Sequence, residues 1–284
     1  MIAITGATGQ LGQLVINQLL QNTPASQIVA VVRNPSKATD LAARGVTIRA
    51  ASYTDLGALQ NAFTGVEKLL LISSNEIGQR AVQHQNVITA AKRAGVKLLV
   101  YTSLLRADTS PLSLAPEHME TEKAVKASGV PFVILRNGWY TENYTASIGP
   151  ALANGAFIGS AGNGRIASAA RADYAAAAVA ALTGTAKVGQ TYELAGDTAY
   201  TLSELAEEIS RQSGKNIPYH NLPEAEYCGI LLKIGLPPAL AAGLASWDVD
   251  ASQGALFDQN HQLSKLTGRP TTPLTTSVQQ ALKS

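Results

Sequence analysis

The chain has 284 residues, 46% hydrophobic and 15% charged, with 22 Lys and Arg against 20 Asp and Glu for a formal net charge of +2. That length holds one large domain or two modest ones, and the composition excludes a disordered chain. The near-balance of charge, with no Lys/Arg run, excludes the strongly basic face of a nucleic-acid binder, and no nucleic acid is expected as a partner.

In chain order, the first half alternates short β-rich runs with helices. Ile2–Thr5 is a strand, and Gln10–Leu20 places Leu11, Leu14, Val15 and Leu19 on one helical face. Ile28–Val32 is a continuous apolar strand of the kind buried on both sides of a parallel sheet. Pro35–Arg44 is predicted helical, with Gly45 as its stop, and Val46–Ala50 is a third strand. A helix at Asp55–Phe63 leads to a fourth strand at Val66–Ile72. A longer helix at Gln79–Ala94 leads to a fifth strand at Val96–Ser103, and a helix at Pro116–Ser128 to a sixth at Pro131–Leu135. Six strands separated by helices predict an α/β fold, a Rossmann-type doubly wound parallel sheet with helices on both faces.

After Arg136 the rhythm breaks. Trp139–Asn154 reads as helical, Gly155–Arg165 as glycine-rich loop with short strand pieces, and Ala172–Leu182 as an alanine-rich helix. Gln190–Leu194 is one more strand, expected to join the sheet. Leu202–Ser213 is an amphipathic helix behind a capping box of Thr201 and Glu204. Pro218–Pro238 is expected to be mostly helical with proline breaks, and a short helix follows Leu274. The expected division is a dinucleotide-binding domain over 1–136 and a smaller, mainly helical substrate lobe over 137–284, packed on the sheet's carboxyl edge.

Cys228 is the single cysteine, so no intrachain disulfide and no cysteine cluster can form. His84, His118, His220 and His261 are scattered, and no metal is expected. The amino terminus lacks the pattern of a signal peptide. The longest apolar run, Tyr174–Leu182, is nine residues, against the about 20 that span a bilayer. The expectation is a cytoplasmic protein with no membrane span.

The strongest motif is Gly6-Ala7-Thr8-Gly9-Gln10-Leu11-Gly12, which follows a strand and opens a helix. Glycines there allow a tight turn and a close backbone approach to a pyrophosphate, and the new helix points free N–H groups and its positive dipole end at the phosphates. The spacing is Gly-x-x-Gly-x-x-Gly, and the context of strand and helix is the one a dinucleotide fingerprint requires. The second strand then decides which dinucleotide. A site for NAD places Asp or Glu at its end to accept from the ribose 2′-OH. Here Arg33 stands there, and the first acid in the chain is Asp40. A guanidinium pairs with a 2′-phosphate that a carboxylate would repel, so NADPH is the expected cofactor. Lys37 nearby reads as a solvated helix residue.

The glycine loop, Val31-Val32-Arg33-Asn34-Pro35, Leu71-Ile72-Ser73-Ser74 and Leu135-Arg136-Asn137-Gly138-Trp139-Tyr140 together resemble the NmrA-like branch of the atypical short-chain dehydrogenases over nearly the whole chain. The resemblance implies that Thr8 to Leu11 meet the pyrophosphate and Arg33 the 2′-phosphate. It implies that Ser73, Ser74 and Asn75 lie toward the ribose and nicotinamide, with Thr102 and Ser103 as a floor. Asn137, Gly138, Trp139 and Tyr140 would meet the nicotinamide and the acceptor. One departure is Ala51-Ser52-Tyr53, where relatives often carry an Asp that reads the adenine edge.

Alcohol-acting members use a Tyr-x-x-x-Lys pair for proton transfer. Lys123 is in place here, but the residue four earlier is Met119, which cannot transfer a proton. Lys123 has two readings, a ribose ligand or a helix-surface charge. A quinone is already electrophilic and does without that tyrosine; the protein need only position the cofactor against a flat acceptor and exclude side reactions. The resemblance therefore implies NADPH-dependent hydride transfer to a quinone-like, flat conjugated acceptor, with Tyr140 and Asn137 as the catalytic candidates. A non-catalytic NADP(H) sensor, or a reductase of another acceptor such as a triphenylmethane dye, fits the same motifs. Trp139 and Tyr144 read as core packing and Cys228 as buried; His118, beside the lost tyrosine position, has two readings, a proton donor near the site and, favoured, a helix-surface histidine. Glu142 could face the pocket or cap its own helix, and Asp173 suits the first turn of the helix that Arg171 begins. Oligomeric state is open.

Overall fold

The computed structural model describes residues 1–283. Seven parallel strands form one sheet: β1 (Ile2–Thr5), β2 (Ile28–Val32), β3 (Thr47–Ala50), β4 (Lys68–Leu71), β5 (Leu98–Leu104), β6 (Phe132–Asn137) and, much later in the chain, β8 (Thr191–Leu194). Their spatial order is β3-β2-β1-β4-β5-β6-β8. The chain steps from β1 outward to β3 and then returns to the other side of β1, so a crevice opens at the carboxyl ends of β1 and β4. The strands are too apolar to leave either face in water. Ile4, Ala30, Leu70, Val100 and Leu135 point to one face, under α1 (Gln10–Leu19), α8 (Arg171–Thr183) and α12 (Gln262–Thr267). Ala3, Val29, Leu69, Tyr101 and Ile134 point to the other, under α3 (Leu56–Ala62), α4 (Arg80–Arg93) and α5 (Ala115–Ala127). The sheet and the strand at 190–194 are as the sequence predicts.

A separate apolar cluster holds the remainder. Leu104, Leu112, Tyr144, Phe157, Leu205, Ile209, Trp247 and Val278 pack together beyond the sheet's carboxyl edge. The cluster draws on α6 (Thr141–Thr145), α7 (Ile148–Asn154) through Ile148 and Ala151, β7 (Phe157–Gly159), α9 (Leu202–Ser213), α11 (Pro238–Ser252) and α13 (Leu274–Ala281), together with the end of β5 and the segment joining it to α5. The Thr201 capping box forms, with Glu204 N–H on Thr201 Oγ1 at 3.1 Å and Thr201 N–H on Glu204 Oε2 at 2.7 Å.

Several sequence expectations change. The predicted helix Trp139–Asn154 is two short helices, and Trp139 and Tyr140 precede them in extended backbone, where Tyr140 bridges to Ala169. The mostly helical reading of Pro218–Pro238 misses β9 (Tyr219–Asn221), which pairs in parallel with β7. A three-residue strand has no periodicity to detect, and its partner lies about 60 residues away in sequence. Pro35–Arg44 begins as a 3-10 turn at Pro35–Ala38 and is α-helical only over α2 (Thr39–Ala43). The sixth strand, expected to end at Leu135, continues through Arg136 to Asn137. Cys228, expected buried, is half-buried on α10 (Glu224–Lys233).

Candidate active site

The glycine turn follows β1 directly. Gly6 has φ +59°, a left-handed conformation that side-chain-bearing residues avoid, and Gly9 N–H closes the turn on Gly6 O at 2.9 Å. A Cβ at Gly12 would sit 2.4 Å from Gly6 O and 2.8 Å from Ala7 Cα, so helix α1 can start this close to β1 only with glycine there. Gly9 caps α1 without a side-chain hydrogen bond, and no acid lies in the first turn. The N–H groups of Gln10, Leu11 and Gly12 therefore have no intrahelical acceptor and point from a positive dipole end into the crevice. Gly6, Gly9 and Gln10 are exposed, Thr8 is half-buried, and Ala7 and Leu11 anchor the turn in the core. This cradle suits a pyrophosphate.

β1 lies between β2 and β4, and the residues leaving those strands flank the turn. Arg33 follows β2 and stands largely in solvent, with Nη1 on Glu76 Oε1 at 2.5 Å. Ser52 Oγ is engaged with Thr54 Oγ1 at 2.8 Å. Tyr53 turns inward, its hydroxyl reaching Thr5 Oγ1 at 2.6 Å and Ile72 O at 2.8 Å, and burial raises its pKa. At the segment Ser52–Tyr53 the departure from the family's Asp is thus filled by a tyrosine that braces the ends of β1 and β4.

The loop after β4 is fixed from beneath. Ser73 N–H donates to Thr102 Oγ1 at 2.9 Å, and Thr102 is buried. Ser74 N–H donates to His84 Nε2 at 2.9 Å, and Ser74 O accepts from Arg80 Nε at 2.6 Å. His84 Nδ1 lies 2.9 Å from Thr121 Oγ1, whose proton goes to Glu117 O, so His84 is the neutral Nδ1–H tautomer. Burial, with the Arg80 cation adding to it, pushes its pKa down to about 3. Asn75 at the loop tip is exposed. His118, expected at a helix surface, is buried, with Nδ1 2.8 Å from Tyr101 Oη. Burial first, then Arg80 and His84, lower its pKa to about 3, so it is no proton donor near neutrality.

On the other side of the crevice, an ionic network ties together the ends of β5, β6 and β8. Arg136, near the end of β6, binds Glu122 through both Nε (2.8 Å) and Nη2 (2.9 Å). Its Nη1 reaches Glu193 at 2.8 Å and Asp108 at 3.0 Å. Ser103 Oγ also donates to Glu122, at 2.7 Å. Burial alone would raise Glu122, but the bonds from Arg136 and Ser103 outweigh it and its pKa lies below the usual carboxylate value. Met119 places its sulfur 3.8 Å from Arg136. Lys123 lies on the exposed face of α5, which favours the surface-charge reading. Sequence reasoning missed this network; an arginine ending the apolar run Val133–Leu135 was the available signal, because a buried guanidinium demands carboxylates.

Asn137 is the notable group. Its side chain is buried, and neither Nδ2 nor Oδ1 makes a hydrogen bond of good geometry; the amide lies near enough to the Tyr140 hydroxyl to lower that group's pKa. A buried primary amide left unpaired is costly, and this one ends β6, next to the edge strand β8. Gly138 follows, its N–H on Leu194 O at 2.7 Å; a Cβ there would meet that oxygen and Tyr174 Oη at 3.0 Å. The Tyr140 ring stacks edge-on to Tyr174 at 5.3 Å, with the Arg171 guanidinium 4.5 Å over its face. Burial raises the Tyr140 pKa, and the Arg171 charge and the nearby Asn137 amide only partly oppose it, so Tyr140 stays a protonated donor near neutrality. Trp139 and Tyr144 pack in the lobe as expected; Trp139 meets Trp247 edge-on at 5.7 Å, and Tyr144 Oη donates to Asp248 Oδ1 at 3.3 Å. Asp248 is buried, also accepts from Ser160 N–H at 2.9 Å, and is raised to about 6 by that burial. Glu142 caps a different helix from its own, with both oxygens on Arg171 N–H at 2.9 and 3.0 Å. Asp173 is buried and holds the carboxy-terminal segment through Thr272 and Arg269.

The comparisons with known proteins agree with this geometry. A family model described as NAD(P)H-binding matches residues 6–185. Quinone oxidoreductase 2 of Escherichia coli strain K12 is 61% identical over 98% of this chain and 97% of its own length. A structure of an E. coli NADPH-dependent quinone oxidoreductase complexed with NADPH superposes with a TM-score of 0.96, at 60% identity, over 99% of this chain and 100% of that one. The Citrobacter sp. triphenylmethane reductase complexed with NADP(H) superposes with a TM-score of 0.95, at 39% identity, over 99% of this chain and 100% of that one. Among the described residues, no helix is long and apolar enough to cross a membrane. The chain belongs to the NAD(P)H-binding family.

Proposed function

We propose that this chain is an NADPH-dependent reductase of quinones or similarly flat conjugated acceptors. The observation that carries the reading is the 61% identity, over 98% of the chain, to a protein named Quinone oxidoreductase 2. Residues 1–136, rejoined by β8, supply the NADP-binding half, and 137–284 the substrate lobe. Gly6, Ala7, Thr8, Gly9, Gln10, Leu11 and Gly12 cradle the pyrophosphate, and Arg33 takes the 2′-phosphate. Ser73, Ser74, Asn75 and Thr102 border the ribose and nicotinamide, and Asn137 offers its unpaired amide to a carboxamide or an acceptor oxygen.

NADPH, when bound, supplies the hydride. The protein's own residues orient and shield. Gly138 lets the backbone pack against Leu194 O and Tyr174 Oη and so fixes the segment that follows, in which Trp139 and Tyr140 form aromatic walls. Tyr140 donates a hydrogen bond to the acceptor oxygen as charge builds there, and the raised pKa keeps that proton in place. No residue need act as a strong general acid, which agrees with Met119 at the usual tyrosine position. A cytoplasmic location goes with the reading, since a chain with one unpaired cysteine is at home in a reducing compartment.

Steady-state oxidation of NADPH by purified protein with a simple benzoquinone tests this. Saturable turnover that collapses in Arg33→Ala is expected. NADPH binding without turnover across several quinones would overturn it. The likeness to the Citrobacter dye reductase gives a second reading, and a triphenylmethane dye run in the same assay decides between the two acceptors.

A further inference from the structure

Arg33 and Glu76 meet across the mouth of the crevice. Ile4 of β1 pairs with Ala30 of β2 on one side and Leu70 of β4 on the other. Residues leaving β2 and β4 thus stand two strand spacings apart, roughly 10 Å, with the glycine turn between them. The ion pair closes that gap at 2.5 Å. Glu76 is presented by a fixed loop. Its N–H donates to Ser74 Oγ at 3.1 Å, its Oε2 accepts from Gln83 Nε2 at 2.7 Å, and Ser74 is itself held by His84 and Arg80. The two side chains are 67% and 42% exposed, so a ligand can reach both.

We propose that Glu76 is a specificity-determining residue that competes with the cofactor's 2′-phosphate for the Arg33 guanidinium and so limits the preference for NADPH over NADH. This rests on the NADPH reading above. A 2′-phosphate must either displace the carboxylate from Arg33 or share one cation with it, and sharing sets two anions side by side. A dinucleotide without that phosphate leaves the pair intact. Its 2′-hydroxyl can donate to Glu76, the role played in NAD sites by an acid at the end of the second strand. Here that acid comes from the loop after the fourth strand, which is why the sequence around Arg33 shows no acid at all.

The test is calorimetric binding of adenosine 2′,5′-bisphosphate and adenosine 5′-monophosphate to the full-length protein, its Glu76→Gln and Arg33→Ala variants and the double variant. Glutamine keeps the length and the acceptor for Gln83. Glu76→Gln should tighten the bisphosphate about two- to fivefold, the scale of an exposed ion pair, and leave the monophosphate unchanged or weaker. The gain should vanish when Arg33 is alanine. An unchanged or weakened bisphosphate in Glu76→Gln overturns the proposal. If the wild type binds both fragments equally and Arg33→Ala alters neither, the NADPH preference itself fails and takes the proposal with it; that equality distinguishes the two failures.

Discussion

On the β2–β1–β4 side of the sheet's carboxyl edge, the polar groups are backbone N–H groups of one continuous turn and a solvent-facing pair, Arg33 and Glu76. On the β5–β6–β8 side they are a buried guanidinium and three carboxylates, gathered from residues 108, 122, 136 and 193. The first side can bind a charged ligand because its groups are unpaired or exchangeable. The second cannot, because every charge is already spoken for; it sets the geometry of β6 and thus of Asn137, the one amide there left without a partner. Binding capacity and rigidity have been assigned to opposite flanks of one crevice.

Glu122→Ala should break this comparison most visibly. It leaves Arg136 buried and short of its bidentate partner, and an expected loss of about 3–5 kcal/mol should appear as a lower midpoint in chemical denaturation. A loss below about 1 kcal/mol would mean the network behaves like a surface pair. Acid probes the layer that holds the loop after β4. His84 and His118 titrate near 3 in the folded chain, against about 6.5 when unfolded. Between those values the unfolded chain binds more protons, so stability is full above pH about 6.5 and falls as pH drops through the window, by about 1.4 kcal/mol per pH unit for each imidazole. Asp248 has the opposite sign: raised to about 6, it returns part of the loss as pH falls from about 6 toward the unfolded carboxylate value. Denaturation midpoints across that pH range measure the net slope, and His84→Gln should flatten it.

Arg33→Ala is the converse of Glu122→Ala. Stability should stay within about 0.5 kcal/mol, while NADPH weakens about 10- to 100-fold, the value of charge-assisted bonds to the phosphate, and NADH barely changes. Equal weakening of both would place Arg33 elsewhere than at the 2′-phosphate. The smallest effect is expected at Tyr140→Phe, where loss of one hydrogen bond should lower kcat about three- to tenfold with little change in the KM for NADPH. A drop beyond a thousandfold would make Tyr140 a general acid of the kind the acceptor is argued not to need.

The glycine turn, Arg33 and the succession of the first six strands along the chain were legible because each depends on neighbours in sequence. A strand followed by a Gly-x-x-Gly-x-x-Gly turn and a helix leaves little else for those residues to do. His118 misled because its neighbours, Glu117 and Glu120, look like a solvated helix face, while the ring lies against Tyr101 of β5. Glu142 was legible as a cap but not as the cap of α8, 29 residues on. β9 was invisible because a three-residue strand carries no pattern, and its partner β7 is equally short.

By itself the sequence determined the parallel sheet, the glycine turn that opens α1 and the arginine at the end of the second strand, since hydrophobic period, glycine spacing and residue type act over a few neighbours. Only the tertiary structure decided that Glu76 faces Arg33, that Arg136 gathers Glu122, Glu193 and Asp108, and that Asn137 is left unpaired. Those outcomes turn on which distant side chains the crossovers bring within about 3 Å of one another, the range of hydrogen bonds and close ion pairs, and no local pattern encodes that distance.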